Sequence, residues 1–328
     1  MQGTLTIVRK TDSRMSEDKM QKADVFTKSN PPQPGDLAGA GRRFLAEGDS
    51  WFTIGTLNLL QASNVLLELK FKQKNAVMSW SYPGDTLQHM VDGINDPAFD
   101  RALWNKAGAN FASFWEGIII SAGGNDLIAA AEVPPVFNNQ PVPAKLRLFL
   151  TAAEAAAQPA ALGPLCRISE TGWTTLTDHL FANFKILLAR KTLGPSERSP
   201  LFVHTYSTPA PRPVGAGVAP HGWMFPAMQA YGIALSDMGP ICTELFKRLR
   251  QFLLGLDCNS GQPQSLQKVH VFDSAGLPDI LPATSGALGI SGDWVNEIHL
   301  TAGGYSKLGT PFGQFIDKVV DAEYGPLA

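Results

Sequence analysis

The sequence predicts an α/β protein in which a parallel β-sheet is covered by helices on both faces. Short apolar runs of the length of buried strands alternate with longer stretches of helical periodicity. The chain has 328 residues, of which 44% are hydrophobic, so it can bury a large core without disulfides or metals. Polar motifs follow several of the apolar runs, and active sites in parallel sheets lie at the carboxyl ends of the strands.

Apolar runs provide the strand candidates, and longer periodic stretches provide the helix candidates. The predicted strands are residues 43–46, 65–71, 76–81, 117–121, 201–206 and 269–272. The predicted helices include residues 86–94, 171–190, 236–254 and 302–322. In the last helix, apolar residues from Leu308 to Ile316 recur at helical spacing, which is typical of a stripe that faces the core.

The chain is predicted to form one domain over residues 41–328. Residues 1–40 are rich in Lys, Asp, Ser and Gln and run into a Pro-rich segment, which predicts a disordered or extended tail. Two long segments, near residues 132–168 and 207–233, interrupt the alternation of strands and helices. We interpret both as insertions, and segments of this length are often functional.

The composition argues against several classes of protein. The formal net charge is −2 and no basic stripe is visible, which argues against nucleic acid as a partner. There is no uninterrupted apolar run long enough for a transmembrane segment. No apolar core of a secretory signal is visible, so the default expectation is a cytoplasmic location, with signal-independent export left open. The three cysteines are widely spaced and predict no metal site.

The first motif, Gly48-Asp49-Ser50-Trp51, directly follows the predicted strand 43–46. A serine on a tight turn at the start of a helix lies close to backbone N–H groups that stabilise developing negative charge. The same serine also fits the role of a helix N-cap, and Gly-Asp-Ser is a common tripeptide. Taken alone, Ser50 is therefore a candidate nucleophile with a purely structural alternative.

Two further motifs supply neutral hydrogen-bond donors. Gly84 follows the predicted strand 76–81, and a glycine there lets a backbone N–H approach a reacting carbonyl closely. Asn125 follows the predicted strand 117–121, and its amide is a double donor suited to an oxyanion. Both also fit ordinary turns, in which Gly and Asn are frequent.

His299 lies in a polar loop between the last predicted strand and the terminal helix. The other histidines lie in helix-like, strand-like or Pro/Gly-rich surroundings. A lone histidine is more often structural than catalytic. However, a parallel sheet would gather all four motifs along one edge, where they supply the nucleophile, the donors and the base that acyl transfer requires.

This order of motifs resembles the SGNH hydrolase superfamily of GDSL-like esterases and lipases, from about residue 43 to the terminal helix. The resemblance implies a three-layer α/β/α sandwich with a flavodoxin-like central parallel sheet of about five strands. It implies that Ser50 is the nucleophile and His299 its base. It further implies an oxyanion hole formed by the N–H groups of Ser50 and Gly84 and the amide of Asn125, and it requires no cofactor.

The sequence departs from the family pattern at two positions. Trp51 stands where the short name of the family has Leu, and we interpret it as part of a pocket wall. Asn296 stands three residues before His299, where the family pattern has Asp. Asn296 can orient the imidazole through its amide oxygen, or a backbone carbonyl can hold the ring and leave a Ser–His dyad. Alternatively, Asp293 or, less favourably, Glu297 supplies a carboxylate; the spacing favours Asn296.

The predicted function is hydrolysis of short to medium acyl esters through an acyl-enzyme on Ser50. Trp223 and Phe225, in the aromatic insertion near residues 207–233, are predicted to bind substrate together with Trp51, as a pocket wall or a lid. A rigid surface loop explains the insertion equally well. The expected partner is a small-molecule or lipid ester, and the oligomeric state stays open. Two other functions fit: a non-catalytic binding module, and a lipase-type effector that acts on membrane lipids.

Overall fold

The computed structural model describes residues 20–33, 35–53, 63–104, 114–216 and 219–327. Within these ranges the strands are β1 (Gln21–Lys22), β2 (Asp24–Thr27), β3 (Arg43–Gly48), β4 (Lys70–Phe71), β5 (Ala76–Ser79), β6 (Gly117–Ser121), β7 (Val136–Phe137), β8 (Gln140–Pro141), β9 (Leu201–His204) and β10 (Val269–Phe272). The helices are α1 (Ser50–Thr53), α2 (Leu87–Met90), α3 (Pro97–Trp104), α4 (Gly124–Glu132), α5 (Ala152–Ala155), α6 (Glu170–Lys191), α7 (Met224–Ala230), α8 (Leu235–Gly255) and α9 (Ala302–Tyr324).

The central sheet has six strands in the order β10-β9-β6-β3-β5-β2, and every neighbouring pair is parallel. The inner strands are buried on both faces, so they read as continuous apolar runs, as the three isoleucines of β6 illustrate. The register pairs Gly48 with Ser121 and Ala46 with Ser79, so β3, β6 and β5 end at nearly the same level. The motifs that follow these strands therefore meet along one edge.

Helices cover both faces of this sheet. On one face α9 packs through Phe312 against His204 and through Phe315 against Phe202, with ring centroids 5.8 Å and 6.2 Å apart. On the other face α2 and α3 contact β3, and α6 packs on α2, α3 and α4. The predicted three-layer α/β/α sandwich is confirmed.

The predicted strand 65–71 is wrong. Residues Leu66–Glu68 form a 3₁₀ turn, and the two-residue strand β4 pairs antiparallel with β1, outside the central sheet. A short buried apolar run satisfies a strand and a tight helical turn equally well, so periodicity does not separate them. The tertiary contact decides: a Cβ on Gly309 of α9 would lie 2.6 Å from the Glu68 backbone, so α9 approaches this turn closely.

Part of the predicted tail belongs to the sheet. Asp24–Thr27 form the edge strand β2, which pairs in parallel with β5 and raises the number of strands to six. The strand is only half-buried and its sequence is short and partly polar, which is usual at an edge and hides it from pattern analysis. Residues 1–19 of the predicted tail lie outside the described residues.

Both predicted insertions contain some regular structure. The segment near 132–168 carries the β7–β8 hairpin, α5 and two 3₁₀ segments. The segment near 207–233 carries α7, and residues 217–218 lie outside the described ranges. Across the part of the chain that the structure describes, no helix combines the length and apolar character needed to cross a membrane.

Candidate active site

Ser50 lies on a tight turn between β3 and α1. Gly48 is required directly before this turn, because a Cβ there would lie 2.8 Å from both the Phe52 ring and the Ser121 Cβ. The side chain of Asp49 folds back and accepts the N–H of Trp51 at 3.0 Å. The turn is therefore held from both sides, and it presents Ser50 as the first residue of α1.

The nucleophile candidate and the base candidate are in contact. The hydroxyl of Ser50 lies 2.8 Å from Nε2 of His299, although the two residues are 249 positions apart in the chain. The other ring nitrogen, Nδ1, lies 3.0 Å from Oδ1 of Asn296. The three side chains thus form a line from hydroxyl to imidazole to amide, which is the geometry of a catalytic triad with a neutral third member.

The amide of Asn296 is held with its oxygen towards the imidazole. Its Oδ1 also accepts the backbone N–H of Ile298 at 3.1 Å and that of His299 at 2.9 Å. Two fixed backbone donors require an acceptor at this position, so the oxygen and not the nitrogen faces the ring. Nδ1 must then carry the proton, which leaves Nε2 free to accept the proton of Ser50.

The two carboxylates considered as acid partners are engaged elsewhere. Asp293 accepts the backbone N–H of Leu281 at 2.6 Å and the ammonium of Lys307 at 2.8 Å. Glu297 points away into the segment near 207–233 and accepts backbone N–H groups there. Asp293 and Glu297 therefore do not orient His299, because hydrogen bonds to other groups fix each carboxylate.

Burial lowers the pKa of His299 to about 3, since desolvation disfavours the imidazolium and the side chain next to Nδ1 is the neutral amide of Asn296. The side chain is neutral at physiological pH. A neutral imidazole with a free Nε2 is the form that can remove a proton from a hydroxyl.

The predicted oxyanion donors lie on adjoining loops. Tyr82 donates its N–H to Gly48 O at 2.9 Å, and so ties the loop of residues 80–86 to the nucleophile strand. Gly84 in this loop has φ +83°, a left-handed conformation that favours glycine. Asn125 donates one N–H of its amide to Asp85 O at 3.0 Å, which orients the amide and leaves its second N–H for a ligand.

A narrow cavity lies beside Ser50. Asn125 lines it together with Ser50, and the remaining wall is largely apolar, from Ile128, Pro209, Phe246 and other residues. Gly84 is not among the lining residues, so the structure brings Ser50 and Asn125 to one cavity and places Gly84 on the neighbouring loop.

The three residues predicted to bind substrate have different positions. Trp51 lines the cavity but is 4% exposed and packs edge-on against Tyr206, with centroids 5.1 Å apart. Trp223 packs edge-on against the imidazole of His299, with centroids 5.4 Å apart. Phe225 is partly buried against the core, and its backbone N–H binds Glu297 at 2.8 Å. Trp51 and Trp223 thus adjoin the reacting groups, whereas Phe225 anchors the insertion.

The segment near 207–233 is clamped to the loop that carries His299. The fully buried Arg212 donates from its guanidinium to the carbonyl of Asn296 at 2.6 Å and to that of Gly289. In return Glu297 accepts the N–H groups of Trp223, Met224 at 3.0 Å and Phe225. The role of Arg212 is not predictable from the sequence, because Arg212 and Glu297 are 85 residues apart and no local pattern marks either of them.

A second buried polar network lies beneath the nucleophile turn. Asp49 accepts the hydroxyl of Ser121 at 2.8 Å and that of Tyr206 at 2.6 Å, and Ser121 Oγ lies 2.9 Å from Nε2 of His204. Burial raises the pKa of Asp49 to about 6 and lowers that of His204 to about 4. Sequence analysis set His204 aside because of its strand-like surroundings, and the structure places it in the core of the sheet.

Comparison with known proteins gives remote likenesses. No protein-family model matches the chain, and no curated protein matches it. Among solved structures, it is similar to an extracellular lipase from Streptomyces rimosus, with 11% identity, a TM-score of 0.45, and coverage of 84% of this chain and 99% of that one. It is also similar to phospholipase A1 from Streptomyces albidoflavus, with 13% identity, a TM-score of 0.41, and coverage of 84% and 99%.

A third similar structure is a carbohydrate acetylesterase from Sinorhizobium meliloti, with 13% identity, a TM-score of 0.37, and coverage of 85% of this chain and 99% of that one. At such identities, the chemistry of this chain has to be argued from its own residues. In this chain the loops that carry the four motifs are joined by hydrogen bonds at one edge of a parallel sheet.

Proposed function

We propose that this protein is a serine ester hydrolase that acts through an acyl-enzyme on Ser50. The observation that carries the proposal is the contact of Ser50 Oγ with Nε2 of a neutral His299, whose tautomer Asn296 fixes, beside a cavity that Asn125 lines. A hydroxyl in contact with a neutral imidazole, beside a cavity lined by an amide donor, provides the groups that acyl transfer requires.

The acylation step follows from these contacts. Ser50 Oγ attacks the ester carbonyl while its proton passes to Nε2 of His299. The amide of Asn125 and the N–H at the start of α1 donate to the oxyanion. The C–O bond of the ester then breaks, and the imidazolium returns its proton to the leaving alkoxide. In the second half, water gives a proton to Nε2 and attacks the acyl carbonyl. The bond between the acyl carbon and Ser50 Oγ then breaks, the imidazolium returns its proton to Oγ, and the free acid leaves.

We propose short to medium acyl esters as the substrates. The apolar wall of the cavity, which includes Ile128 and Phe246, suits an aliphatic chain, and the narrowness of the cavity disfavours a bulky acyl group. Trp51 lines the cavity and Trp223 packs against the imidazole of His299, so both rings are close enough to the reacting groups to contact a bound ester.

The test is hydrolysis of p-nitrophenyl esters from acetate to palmitate by the wild type, Ser50→Ala and Trp223→Ala. We expect activity that is highest on short to medium chains and is lost with Ser50. Trp223→Ala should change the chain-length preference; an unchanged preference would exclude a role of this ring in acyl selection. Folded wild type without activity on any ester would favour a binding module on this fold.

A further inference from the structure

Three carboxylates converge behind the loop of residues 80–86. Glu47 lies at the end of β3, Asp85 directly follows Gly84, and Asp96 precedes α3. One oxygen of each lies within 4.8 Å of the others. Like charges this close repel one another unless a cation or a proton compensates them.

Glu47 is the unusual member of the cluster. It is fully buried, and only its Oε1 has a partner, the backbone N–H of Gly48 at 2.8 Å. Its Oε2 is buried and has no hydrogen-bond partner among the described residues. A buried carboxylate oxygen without a donor is costly, so this position needs either a cation or a proton shared in a hydrogen bond with the neighbouring carboxylate of Asp96.

The protein supplies little positive charge to this cluster. Asp85 is paired with Nδ1 of the half-exposed His89 at 2.5 Å, and within the described residues no lysine or arginine forms an ion pair with any of the three carboxylates. Burial and the neighbouring carboxylate of Asp96 raise the pKa of Glu47, and burial raises that of Asp85 to about 6.

We propose that Glu47, Asp85 and Asp96 bind one hard divalent cation of the calcium or magnesium type. Carboxylate oxygens are the preferred ligands of these ions. Two oxygens that are each about 2.4 Å from one calcium ion are at most about 4.8 Å apart, which the cluster satisfies. Asp96 is half-buried, so it gives the ion a path to solvent and leaves room for water ligands.

The cation has a structural role in the catalytic edge. Asp85 carries the carbonyl that orients the amide of Asn125, at 3.0 Å. Glu47 belongs to the strand that leads into the Ser50 turn. An ion bound to both side chains fixes the loop of residues 80–86 against β3, and so holds the donor side of the site in place without touching the Ser50–His299 pair.

The test is cation binding by the full-length chain after removal of metals with EDTA. Isothermal titration with CaCl₂, and separately with MgCl₂, should show one ion bound per chain. Thermal unfolding at a cation concentration 100-fold above Kd should give a Tm higher by about 4 °C. Ser50→Ala should bind equally well, so this result stands whether or not the protein hydrolyses esters.

Two variants and a control locate the site. Asp96→Asn should weaken binding by at least about 10-fold while the chain stays folded, because this residue is half-buried. Glu47→Gln should abolish the Tm shift, and Asp178→Asn, an exposed carboxylate on α6, should leave it unchanged. Wild type that binds neither ion would overturn the proposal. A Glu47→Gln variant at least as stable as that wild type would then identify a proton as the compensating charge.

Discussion

Among the described residues, Ser50 and Ser121 each lie close to Nε2 of a buried histidine, and these two Ser–His pairs are nearly alike in local geometry. Ser50 lies 2.8 Å from Nε2 of His299, and Ser121 lies 2.9 Å from Nε2 of His204. Each histidine directs Nδ1 to a carbonyl-type oxygen, that of Asn296 at 3.0 Å or that of Thr205 at 2.7 Å. Desolvation lowers the pKa of both imidazoles, to about 3 and about 4.

The two pairs differ in what surrounds the serine. Ser50 faces a cavity together with the amide of Asn125, so a carbonyl placed there meets a nucleophile and a donor. Ser121 is completely buried, and its hydroxyl is shared with Asp49 and with Tyr206 at 3.0 Å. A Ser–His contact alone is therefore no evidence of catalysis. Access to substrate and donors for the oxyanion separate the candidate site from the structural pair.

The largest expected effect comes from removing each serine in turn. Ser50→Ala should lower kcat/KM by about 10⁴-fold or more, since it removes the attacking atom. Ser121→Ala should change kcat/KM by less than about 10-fold but lower stability by about 1–3 kcal/mol, because His204 and Asp49 lose a buried partner. Steady-state kinetics and thermal unfolding measure both. Equal losses of activity would contradict the distinction between the pairs.

The next-largest expected effect concerns Asn125, the amide donor that lines the cavity with Ser50. Asn125→Ala should lower kcat by about 10²–10³-fold with little change in KM, because the amide acts chiefly on the oxyanion of the transition state. Asn125→Asp is the matched control: it keeps the size but replaces the donor with an acceptor, and should be at least as damaging. A change confined to KM would show that the amide only binds the ground state.

A smaller effect is expected from replacing Asn296, the neutral side chain that contacts Nδ1 of His299. In Asn296→Asp a carboxylate next to Nδ1 should raise the pKa of His299 from its value of about 3. The base works when neutral, so the acid limb of the kcat/KM profile should move to higher pH in the variant. At alkaline pH kcat should rise on the order of 10-fold, since the imidazolium formed in the transition state gains a counter-charge while the tautomer is already correct. An unmoved acid limb would show that another group controls it.

The smallest effect concerns the clamp that holds the segment near 207–233 on the loop of His299. In Glu297→Gln an amide nitrogen, which cannot accept a hydrogen bond, replaces one of the two oxygens that face the N–H groups of Trp223, Met224 and Phe225. The free energy of unfolding should therefore fall by about 2 kcal/mol at pH 5, where the wild-type side chain is the neutral acid. Burial raises the pKa of Glu297 to about 7. Because the pKa of Glu297 is higher in the folded than in the unfolded protein, its contribution to the free energy of unfolding falls as pH rises towards about 7. The difference in free energy of unfolding between wild type and variant should therefore be smaller at pH 8 than at pH 5. A difference that widens with pH would contradict this sign.

The apolar pattern of the sequence predicts most strands of the central sheet but not the edge strand β2. Strands β3, β5, β6, β9 and β10 are all predicted, because each reads as a short apolar run. The first four are buried on both faces, whereas β10 lies at the edge of the sheet and buries one face. The half-buried edge strand β2 lacks such a run, and residues 65–71 are apolar without being a strand of the sheet. In β2 and in residues 65–71, burial comes from contacts with elements distant in the sequence, and these contacts cannot be read from neighbouring residues.

Hydrophobic periodicity and the order of strands and turns are local properties of the chain, so they suffice to predict the fold class and the four motif positions. They also suggest roles for Ser50, Asn125 and His299. Which side chain orients His299 follows from the folded structure, since Asn296, Asp293 and Glu297 differ in their partners and not in their sequence context. The same holds for the clamp formed by Arg212 and for the acidic cluster around Glu47. Their residues are far apart in the chain and come into contact only on folding, and these contacts determine their hydrogen bonds and charges.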